Sequence, residues 1–309
     1  MPTIANFPEV WVKRLLIKIS SAVVAPWLND IPELDVDVAV INAGDMSEKN
    51  KIYVPTSTFE PDVLINNTTY PIDAQSYTDD QVELTLDKYQ TKVTTLSDDQ
   101  VIGASYDRID NAIASHARAI AKKKYAKAAH SLAPTQNAAA SPVIVTTGDL
   151  VNNRRRLVYA DLVSLKAKMN LNEDDQDLVL VLCSEHYNDL LLDRQNFGNL
   201  LIDYNAGKPA PRIAGFELHT YIANPRYSVA GVKKAFGSVP DNTAGAADLQ
   251  GSFAFVKTNV AKKTGITRQY FAPAVIDPAN QVNKVNYRHY FMALPFQAGK
   301  NGAIISAQS

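Results

Sequence analysis

The sequence is organised around SDDQVIGASYDRIDNAIASHARAIAKKKYAKAAHSL, the stretch from Ser97 to Leu132. Apolar residues recur in it at spacings of three and four, which is typical of a helix with one buried face. Ser97 and Gln100 have the spacing of a capping pair, and Pro134 forbids continuation beyond the last turn. At about 1.5 Å per residue the predicted helix is a rod of roughly 54 Å, about three times the usual globular length. We therefore expect it to lie across a wide molecule.

The composition is that of an ordinary globular protein. The 309 residues are 46% hydrophobic and 20% charged, and the formal net charge is −1. This balance argues against a dedicated nucleic-acid binder, because such domains carry a large basic excess. Cys183 is the only cysteine, so no intrachain disulfide and no cysteine-rich zinc site can form. No window approaches 18 uninterrupted apolar residues, so we expect no membrane partner.

Two segments before the long helix look like extensions. Residues 1–34 have helical apolar spacing, but three prolines bracket a stretch too short to bury that face alone. Residues 35–96 contain the strands KIYVP and QVELTL around a region with prolines and Asn66-Asn67, which predicts a long hairpin with a polar, irregular tip. An isolated hairpin of this size is marginal in water, so we expect a neighbour to stabilise both extensions.

The second half of the chain mixes helices and strands. A helix is predicted from about Arg155 to Met169, and LVLVL at residues 178–182 is predicted as a strand buried on both faces. Ser184 can begin a further helix. Residues 198–280 are predicted as short strands and turns. Residues 283–296 and 303–307 are strand-like, and the first of these alternates Val285, Tyr287, His289 and Phe291 on one face with Tyr290 and Met292 on the other.

No catalytic or metal-binding signature is present in the sequence. The hydrolase, zincin, P-loop and dinucleotide motifs are all missing, so we expect no catalytic residue, no cofactor and no metal. The five histidines have no metal-ligand spacing, and each is predicted to have a surface or hydrogen-bonded role: His116, His130, His186, His219 and His289. The acidic run at residues 173–177 lacks the glycine and distal glutamate of a calcium loop, which favours a solvated loop.

Two basic clusters leave alternatives open. Arg154, Arg155 and Arg156 could face nucleic acid or a partner's carboxylates, or form a surface cluster at a helix entry. The lysines at residues 122–127 are explained by the negative end of the helix dipole, with phosphate contact as the other reading.

The order of these elements resembles the major capsid protein of tailed bacteriophages, the Hong Kong-97-type capsid fold. The resemblance covers nearly the whole chain: an amphipathic arm, the K-I-Y-V-P strand, a hairpin loop, the strand QVELTLDKYQ, the S-D-D-Q helix start, and the passage from YADLVSLKAKM into LVLVL. It implies an α+β fold with an N-terminal arm (1–34), strands and an extended hairpin loop, the E-loop (35–96), a peripheral domain with a spine helix (97–177, helix 97–132), an axial domain (178–282) and return strands of the peripheral domain (283–309).

The resemblance implies a structural, non-enzymatic function. Copies would assemble as hexamers and pentamers into an icosahedral shell around packaged double-stranded DNA, in the virion and, during assembly, in the host cytoplasm. The expected partners are other copies, portal and scaffolding proteins, decoration proteins and DNA held by non-specific contacts. Residues expected at contacts between subunits are Trp11, Leu15, Trp27, Lys49, Lys51, Phe59, Glu60 and Asp62. Residues expected to face DNA are Lys122, Lys123, Lys124, Arg154, Arg155 and Arg156.

Two other functions remain open from the sequence. An encapsulin-like compartment would share the fold and enclose a cargo enzyme instead of DNA. A mixed α/β enzyme with the hairpin as a lid would need a polar cluster in a pocket, for which the sequence offers no candidate.

Overall fold

The fold was analysed in a computed structural model of the chain. It describes residues 25–35, 51–57, 61–77, 79–97, 108–169, 171, 177–193, 202–203, 208–209, 212–243, 245, 247–276, 279–297 and 299–308. The predicted acidic loop falls outside these residues except for Asp177, as do residues 98–107 of the predicted helix.

Helices and strands alternate along the described chain. The α-helices are α1 (Arg108–Leu132), α2 (Tyr159–Lys168) and α3 (Ser184–Leu192). The strands are β1 (Lys51–Ser57), β2 (Asp79–Thr85), β3 (Asp87–Gln90), β4 (Thr94–Ser97), β5 (Val143–Val145), β6 (Leu150–Val151), β7 (Arg154–Arg155), β8 (Leu178–Leu182), β9 (Ile202–Asp203), β10 (Lys208–Pro209), β11 (Arg212–Ile213), β12 (Phe216–Thr220), β13 (Arg226–Tyr227), β14 (Leu249–Gln250), β15 (Ser252–Val256), β16 (Val260–Ala272), β17 (Val282–Pro295) and β18 (Asn301–Ile305).

A four-stranded sheet, which we call the long sheet, is built on β17. This strand pairs antiparallel with β16 on one edge and with β3 and β4 on the other. The register shifts between Thr264 and Thr267, where β16 carries a bulge. Gly265 lies in this bulge, and a Cβ atom there would come within 2.8 Å of the Tyr290 Cβ atom, so only glycine fits without displacement.

Helix α1 covers one face of the long sheet. Its apolar stripe, including Ile113, Ala117 and Ile120, packs on Val285 and Tyr287 of β17. The predicted helix is therefore confirmed over Arg108–Leu132. Ser97, predicted as the start of that helix, is instead the last residue of β4 and pairs with Val282.

The hairpin formed by β1 and β2 begins on the opposite face of the long sheet. Ile52, Leu84 and Leu86 pack there against Tyr290 and Met292. The two-residue alternation predicted for this part of β17 is therefore confirmed, with one face turned to α1 and the other to the hairpin.

The second large sheet has six strands, in the order β11-β12-β8-β15-β18-β5. The LVLVL segment is its strand β8, and all five residues are buried as predicted. Strands β18 and β5 belong to this sheet, whereas β16 belongs to the long sheet. Residues 143–145 and 301–305 therefore share a sheet with β8, and residues 260–272 share a sheet with β17, although these segments lie far apart in the chain. The domain ranges that the resemblance implies stay a prediction.

The predicted start of the second helix is also wrong. Arg154 and Arg155 lie in β7, which forms a short hairpin with β6, and α2 begins at Tyr159. Asn152 and Asn153 form the turn with φ angles of 52° and 60°, a conformation that asparagine tolerates better than most residues. The Asp161 carboxylate accepts a hydrogen bond from the Val158 backbone nitrogen at 3.1 Å. This hydrogen bond gives the backbone N–H group at the start of α2 a partner.

Candidate assembly surfaces

The tip of the long hairpin, residues 61–77, is held in shape by its own hydrogen bonds. The Asn67 side chain donates to the Thr69 carbonyl oxygen at 2.8 Å and accepts from the Thr69 backbone nitrogen at 3.0 Å. Across the tip, the Asp62 backbone nitrogen donates to Gln75 Oε1 at 2.9 Å, and the Gln75 amide donates back to the Asp62 carboxylate. The tip is therefore a defined structure that does not require apolar contacts of its own.

Apolar side chains project from this tip into solvent. Val63 is 83% exposed and Ile65 is 85% exposed, and four more large apolar residues of the tip are more than half exposed: Leu64, Tyr70, Ile72 and Tyr77. The tip was predicted to be polar, and its exposed surface is in fact partly apolar. Six exposed apolar side chains in one short segment are typical of a surface that another protein covers. Three consecutive apolar residues at positions 63–65 were the sequence signal for this surface.

The described end of the predicted arm, the segment 25–34, packs into the chain's own core. Trp27 is 1% exposed, and its ring makes edge-to-face contacts with Tyr221, Phe253 and Phe255 at centroid distances of 5.6–6.2 Å. The expectation that Trp27 contacts a neighbouring subunit is therefore wrong. Its side chain fills the space between the segment and strand β15 of its own subunit.

Backbone oxygens of the same segment are tied to strand β16. Lys262 Nζ donates to the Leu28 carbonyl oxygen at 2.8 Å, and Lys263 Nζ donates to the Leu34 carbonyl oxygen at 2.7 Å. These hydrogen bonds fix residues 28–34 against β16. Among the other residues expected between subunits, Asp62 lies in the exposed tip and Lys51 lies in β1. The rest lie outside the described residues: Trp11, Leu15, Lys49, Phe59 and Glu60.

The lysines of α1 divide into exposed and buried side chains. Lys122 and Lys123 are exposed, as a contact with DNA requires. Lys124 is 5% exposed, and its Nζ atom lies 3.4 Å from His289 Nε2 and 4.4 Å from the centre of the Phe291 ring. The expectation that Lys124 faces DNA is therefore wrong, because the side chain points into the interface between α1 and the long sheet.

Burial shifts the pKa of both groups in this contact. It lowers the pKa of Lys124 to about 8, and Glu33 opposes the shift while Lys262 adds to it. Burial, reinforced by Lys124, lowers the pKa of His289 to about 3, so the imidazole is neutral near pH 7. Neutral His289 can then accept a hydrogen bond from Lys124 while its Nδ1 pairs with Thr267 Oγ1 at 2.8 Å.

Two of the three arginines predicted to face DNA have side-chain partners within the chain. Arg154 forms a bidentate pair with Asp189 at 2.7 and 2.8 Å, and this hydrogen bonding raises the pKa of the guanidinium. Arg155 Nη1 donates to the Gly148 carbonyl oxygen at 3.2 Å, and Arg156 is half-buried. The expectation that Arg154 is available to DNA is therefore wrong, because its charge is matched inside the subunit and ties β7 to α3.

Four histidines have the hydrogen-bonded role that the sequence predicted, whereas His116 is buried and its Nε2 atom has no hydrogen-bond partner among the described residues. His186 is fully buried between Ser252 Oγ at 2.7 Å and Ser306 Oγ at 2.9 Å, and burial lowers its pKa to about 4. Cys183 is buried beside it, and burial raises the pKa of the thiol. His219 pairs with Glu217 at 2.9 Å.

In the part of the chain that the structure describes, no group of three or more histidine, cysteine, aspartate or glutamate side chains could hold a metal ion. None of the helices described is long and apolar enough to cross a membrane.

Solved structures with a similar fold are phage capsids and a related particle. The capsid of cyanophage P-SCSP1u aligns with a TM-score of 0.57 and 13% identity over 85% of each chain. The mature capsid of bacteriophage PhiM1 aligns with a TM-score of 0.52 and 12% identity over 88% of this chain and 91% of that chain. A virus-like particle from Pyrococcus furiosus aligns with a TM-score of 0.53 and 9% identity over 97% of this chain and all of the other. The chain therefore has the fold of capsid shell proteins.

The family follows from the sequence comparison. The model of the phage capsid protein family matches residues 79–299, more than two thirds of the chain. The chain belongs to this family, and it is a structural protein of the capsid shell. The resemblance stated from the sequence is thereby confirmed. None of the curated proteins matches the chain.

Proposed function

We propose that this chain is the major capsid protein of a tailed phage, and that its copies form hexamers and pentamers in an icosahedral shell around double-stranded DNA. The observation that carries the proposal is the hairpin tip, which its own hydrogen bonds shape while six apolar side chains remain exposed. A neighbouring copy that covers these side chains gains about 25 cal/mol for each Å² of apolar surface removed from water.

In this proposal each part of the fold has a role in the shell. The hairpin of β1 and β2 is the E-loop, α1 is the spine helix, and the long sheet with α1 forms the peripheral domain. The six-stranded sheet with α2 and α3 forms the axial domain. The arm before residue 25 extends to a neighbouring subunit. Its starting point is the segment 25–34, which Lys262 and Lys263 hold through hydrogen bonds.

The proposed partners follow from the shell role. Besides other copies, they are portal, scaffolding and decoration proteins, and packaged DNA that the exposed Lys122 and Lys123 contact without sequence preference. Assembly takes place in the host cytoplasm, and the chain has no catalytic function. The absence of catalytic motifs in the whole sequence supports this last point.

The proposal is tested by making the hairpin tip polar. The double variant Val63→Ser, Ile65→Ser removes most of the exposed aliphatic surface at the start of the tip and leaves its hydrogen bonds in place. Each side chain contributes about 1–2 kcal/mol if fully buried by a neighbour, so we expect the protein concentration needed for particles to rise at least about tenfold. Sedimentation and electron microscopy of the full chain measure this.

A matched control changes an exposed valine elsewhere. Val163 is 46% exposed on α2, and Val163→Ser should leave the assembly concentration near that of the wild type. A wild-type chain that stays monomeric over the whole concentration range, with or without the proposed scaffolding partner, contradicts the proposal.

The second candidate is an encapsulin-like compartment, which the similarity to the particle from Pyrococcus furiosus favours. The phage capsid family match gives it less support. The ultraviolet absorbance of intact particles from the native source separates the two, because packaged DNA absorbs most strongly near 260 nm and a cargo enzyme absorbs near 280 nm.

A further inference from the structure

Three polar side chains, which we call the buried polar cluster, meet between α1 and the long sheet: His116, Gln269 and Tyr287. The His116 and Tyr287 rings lie 5.4 Å apart, centre to centre. Gln269 of β16 is the cross-strand partner of Tyr287 on β17, and directly paired residues of an antiparallel sheet place their side chains on the same face. That face is the one α1 covers, because Tyr287 shares an apolar cluster with Ile113 and Ala117.

Four polar atoms of this cluster are buried and have no hydrogen-bond partner among the described residues. They are His116 Nε2, Gln269 Nε2, Gln269 Oε1 and the Tyr287 hydroxyl. The backbone of Tyr287 needs no further partner, since its nitrogen donates to Thr91 Oγ1 at 3.0 Å and its carbonyl oxygen accepts from the Thr91 nitrogen at 3.0 Å. At this position of β17 the unsatisfied group is therefore the side chain.

The next polar pair on the same face shows the opposite situation. Thr267 and His289 are also paired across β16 and β17, and Thr267 Oγ1 lies 2.8 Å from His289 Nδ1. Lys124 Nζ of α1 lies 3.4 Å from the other ring nitrogen of His289. The side-chain polar atoms of this pair therefore have partners within the chain, whereas those of the buried polar cluster do not.

Four unpaired polar atoms in one place are costly to bury. Buried polar groups in folded proteins nearly always bond to another protein group or to an ordered water molecule. A group without either loses the hydrogen bond that it made to solvent in the unfolded chain. Three side chains in this state would cancel a large part of the small net free energy that keeps a domain folded. A bound molecule that hydrogen-bonds to them removes this cost.

The chemistry of the cluster selects a small neutral molecule. Burial raises the pKa of Tyr287 to about 12 and lowers the pKa of His116, so both groups are neutral near pH 7, as is the Gln269 amide. An ion would have no opposite charge to pair with here. The amide nitrogen donates, the amide oxygen accepts and the tyrosine hydroxyl does both, so the bound molecule has to donate and to accept. Water does both and makes about three hydrogen bonds when buried.

Solvent has a path to this cluster. His116 lines a groove between α1 and residues 88–94 that is open to solvent, and the Tyr287 ring lies against the His116 ring. Water that enters the cluster from this groove does not have to pass through the apolar core.

We propose that His116, Gln269 and Tyr287 form a binding site for ordered water that joins α1 to the long sheet. Water donates to Gln269 Oε1 and accepts from Gln269 Nε2, and the Tyr287 hydroxyl and His116 Nε2 complete the network. At this level α1 is held to the sheet through water, whereas Lys124 holds it through a direct contact. The site lies within one subunit, so the inference does not depend on the proposed shell function.

X-ray radiolysis in water enriched in oxygen-18 tests the site. A radical formed from a bound water molecule hydroxylates the adjacent side chain even where bulk solvent does not reach. Tyr227 is the matched control, because it is 1% exposed and its hydroxyl has a protein partner, the Pro134 carbonyl oxygen at 2.8 Å. Trypsin separates the two tyrosines into peptides 285–288 and 227–233. In the full-length chain we expect Tyr287 to be labelled at least about tenfold faster than Tyr227, and equal rates overturn the proposal.

A radical scavenger separates bound water from transient opening of the fold. The scavenger removes radicals from bulk solvent, so it should strongly slow the labelling of Tyr53, which is 49% exposed. Labelling of Tyr287 should stay nearly unchanged, because its radicals form inside the site. Suppression of Tyr287 to the same degree as Tyr53 shows that its label comes from bulk solvent and overturns the proposal.

Gln269→Met keeps the length of the side chain and removes two of the four polar atoms. We expect the labelling rate of Tyr287 to fall at least about fivefold, because water loses two of its hydrogen-bond partners. Gln90→Met, at an exposed position of β3, is the matched control and should leave this rate unchanged. A folded Gln269→Met chain that labels Tyr287 as fast as the wild type overturns the proposal. The comparison of Tyr287 with Tyr227 decides the matter in the wild type if the variant does not fold.

Discussion

At the scale of single residues, the interior of this subunit is held by polar side chains that join distant elements. His186 of α3 connects Ser252 of β15 with Ser306 at the end of β18, and Asp189 of α3 holds Arg154 of β7. Each of these groups would cost about 1–3 kcal/mol if its partner were removed and it remained buried. They therefore specify which elements pack together, in addition to the apolar contacts around them.

Lys124 gives this chain a pH dependence of stability at alkaline pH. Its pKa is about 8 in the folded chain and about 10.5 when unfolded, so between these values the unfolded state binds more protons and stability rises with pH. The size of this pKa shift limits the rise in unfolding free energy that Lys124 can cause to about 3 kcal/mol. Lys124→Met keeps the side-chain volume and removes the buried charge, so we expect equal or higher stability at pH 7 and a smaller rise up to pH 9.5.

Urea unfolding of the full-length chain in its unassembled state, at pH 7 and pH 9.5, measures this effect. Lys233, whose pKa burial also lowers to about 8, leaves a residual rise in the variant. Lys122→Met is the control, because that side chain is exposed. A Lys124→Met chain whose stability rises between the two pH values as much as that of the wild type contradicts the expectation.

At the scale of elements, the end of α1 is fixed by residues from two distant segments. Asn301 Nδ2 donates to the Leu132 carbonyl oxygen at 2.9 Å, the Tyr227 hydroxyl donates to the Pro134 carbonyl oxygen at 2.8 Å, and Lys233 Nζ donates to the His130 carbonyl oxygen at 2.7 Å. The lysines within α1 were predicted to interact with the negative end of the helix dipole, and this stays a prediction. The hydrogen bonds to the carbonyl groups at this end come from other segments, because these groups face strands β13 and β18.

Tyr227→Phe removes one of these hydrogen bonds and keeps the buried ring. We expect a loss of about 1–2 kcal/mol in the free energy of unfolding, since the Pro134 carbonyl oxygen loses its donor in a buried site. Hydrogen exchange should also become faster at the last turn of α1. Tyr187→Phe on α3 is the matched control, because no hydrogen bond of its hydroxyl is found among the described residues, and its stability should stay within about 0.5 kcal/mol of the wild type. Equal losses in the two variants contradict the capping role.

Periodicity in the sequence was sufficient to predict the elements whose environment is uniform along their length. The three-and-four spacing of α1, the apolar run of β8 and the alternation of β17 each reflect a single buried face or complete burial. Strand partners were not predictable in this way. Residues 303–307 read as a strand, and β18 forms at Asn301–Ile305, but its place beside β15 and β5 depends on contacts more than 45 residues away.

The candidate surfaces were predictable only in part. Prolines and the turn residues Asn66-Asn67 marked the hairpin tip, whereas the burial of Trp27 and Lys124 depends on the packing of β15 and β17 against them. A tryptophan in an extension and a lysine in a basic run look the same in sequence whether they face solvent or the core. Their burial is a tertiary property that neither periodicity nor composition encodes.

At the scale of the whole molecule, the proposed contact with DNA is made by the exposed lysines of α1, Lys122 and Lys123. Each phosphate contact made by a lysine contributes about 0.9 to the slope of log K against log salt. The double variant Lys122→Gln, Lys123→Gln should therefore lower this slope by about 2 when binding to duplex DNA is measured by fluorescence anisotropy between 50 and 200 mM salt.

The control for this measurement is Lys166→Gln, Lys168→Gln, which removes two exposed lysines from α2. Its slope should match that of the wild type. An equal decrease in both variants shows that DNA binds to general surface charge and contradicts a specific role for α1.

The position of β17 also determines how the subunit responds to mechanical load. Both edges of this strand are paired, and α1 and the hairpin base cover its two faces. Only the buried Leu86 separates β2 from β3, so a pull on the hairpin by a neighbour passes directly into the hydrogen bonds between β3 and β17. Tension along the strand direction loads these bonds together in shear, and they resist it collectively. Under strain in a pressurised shell, the loops outside the long sheet would therefore deform before β17 is pulled out of the sheet.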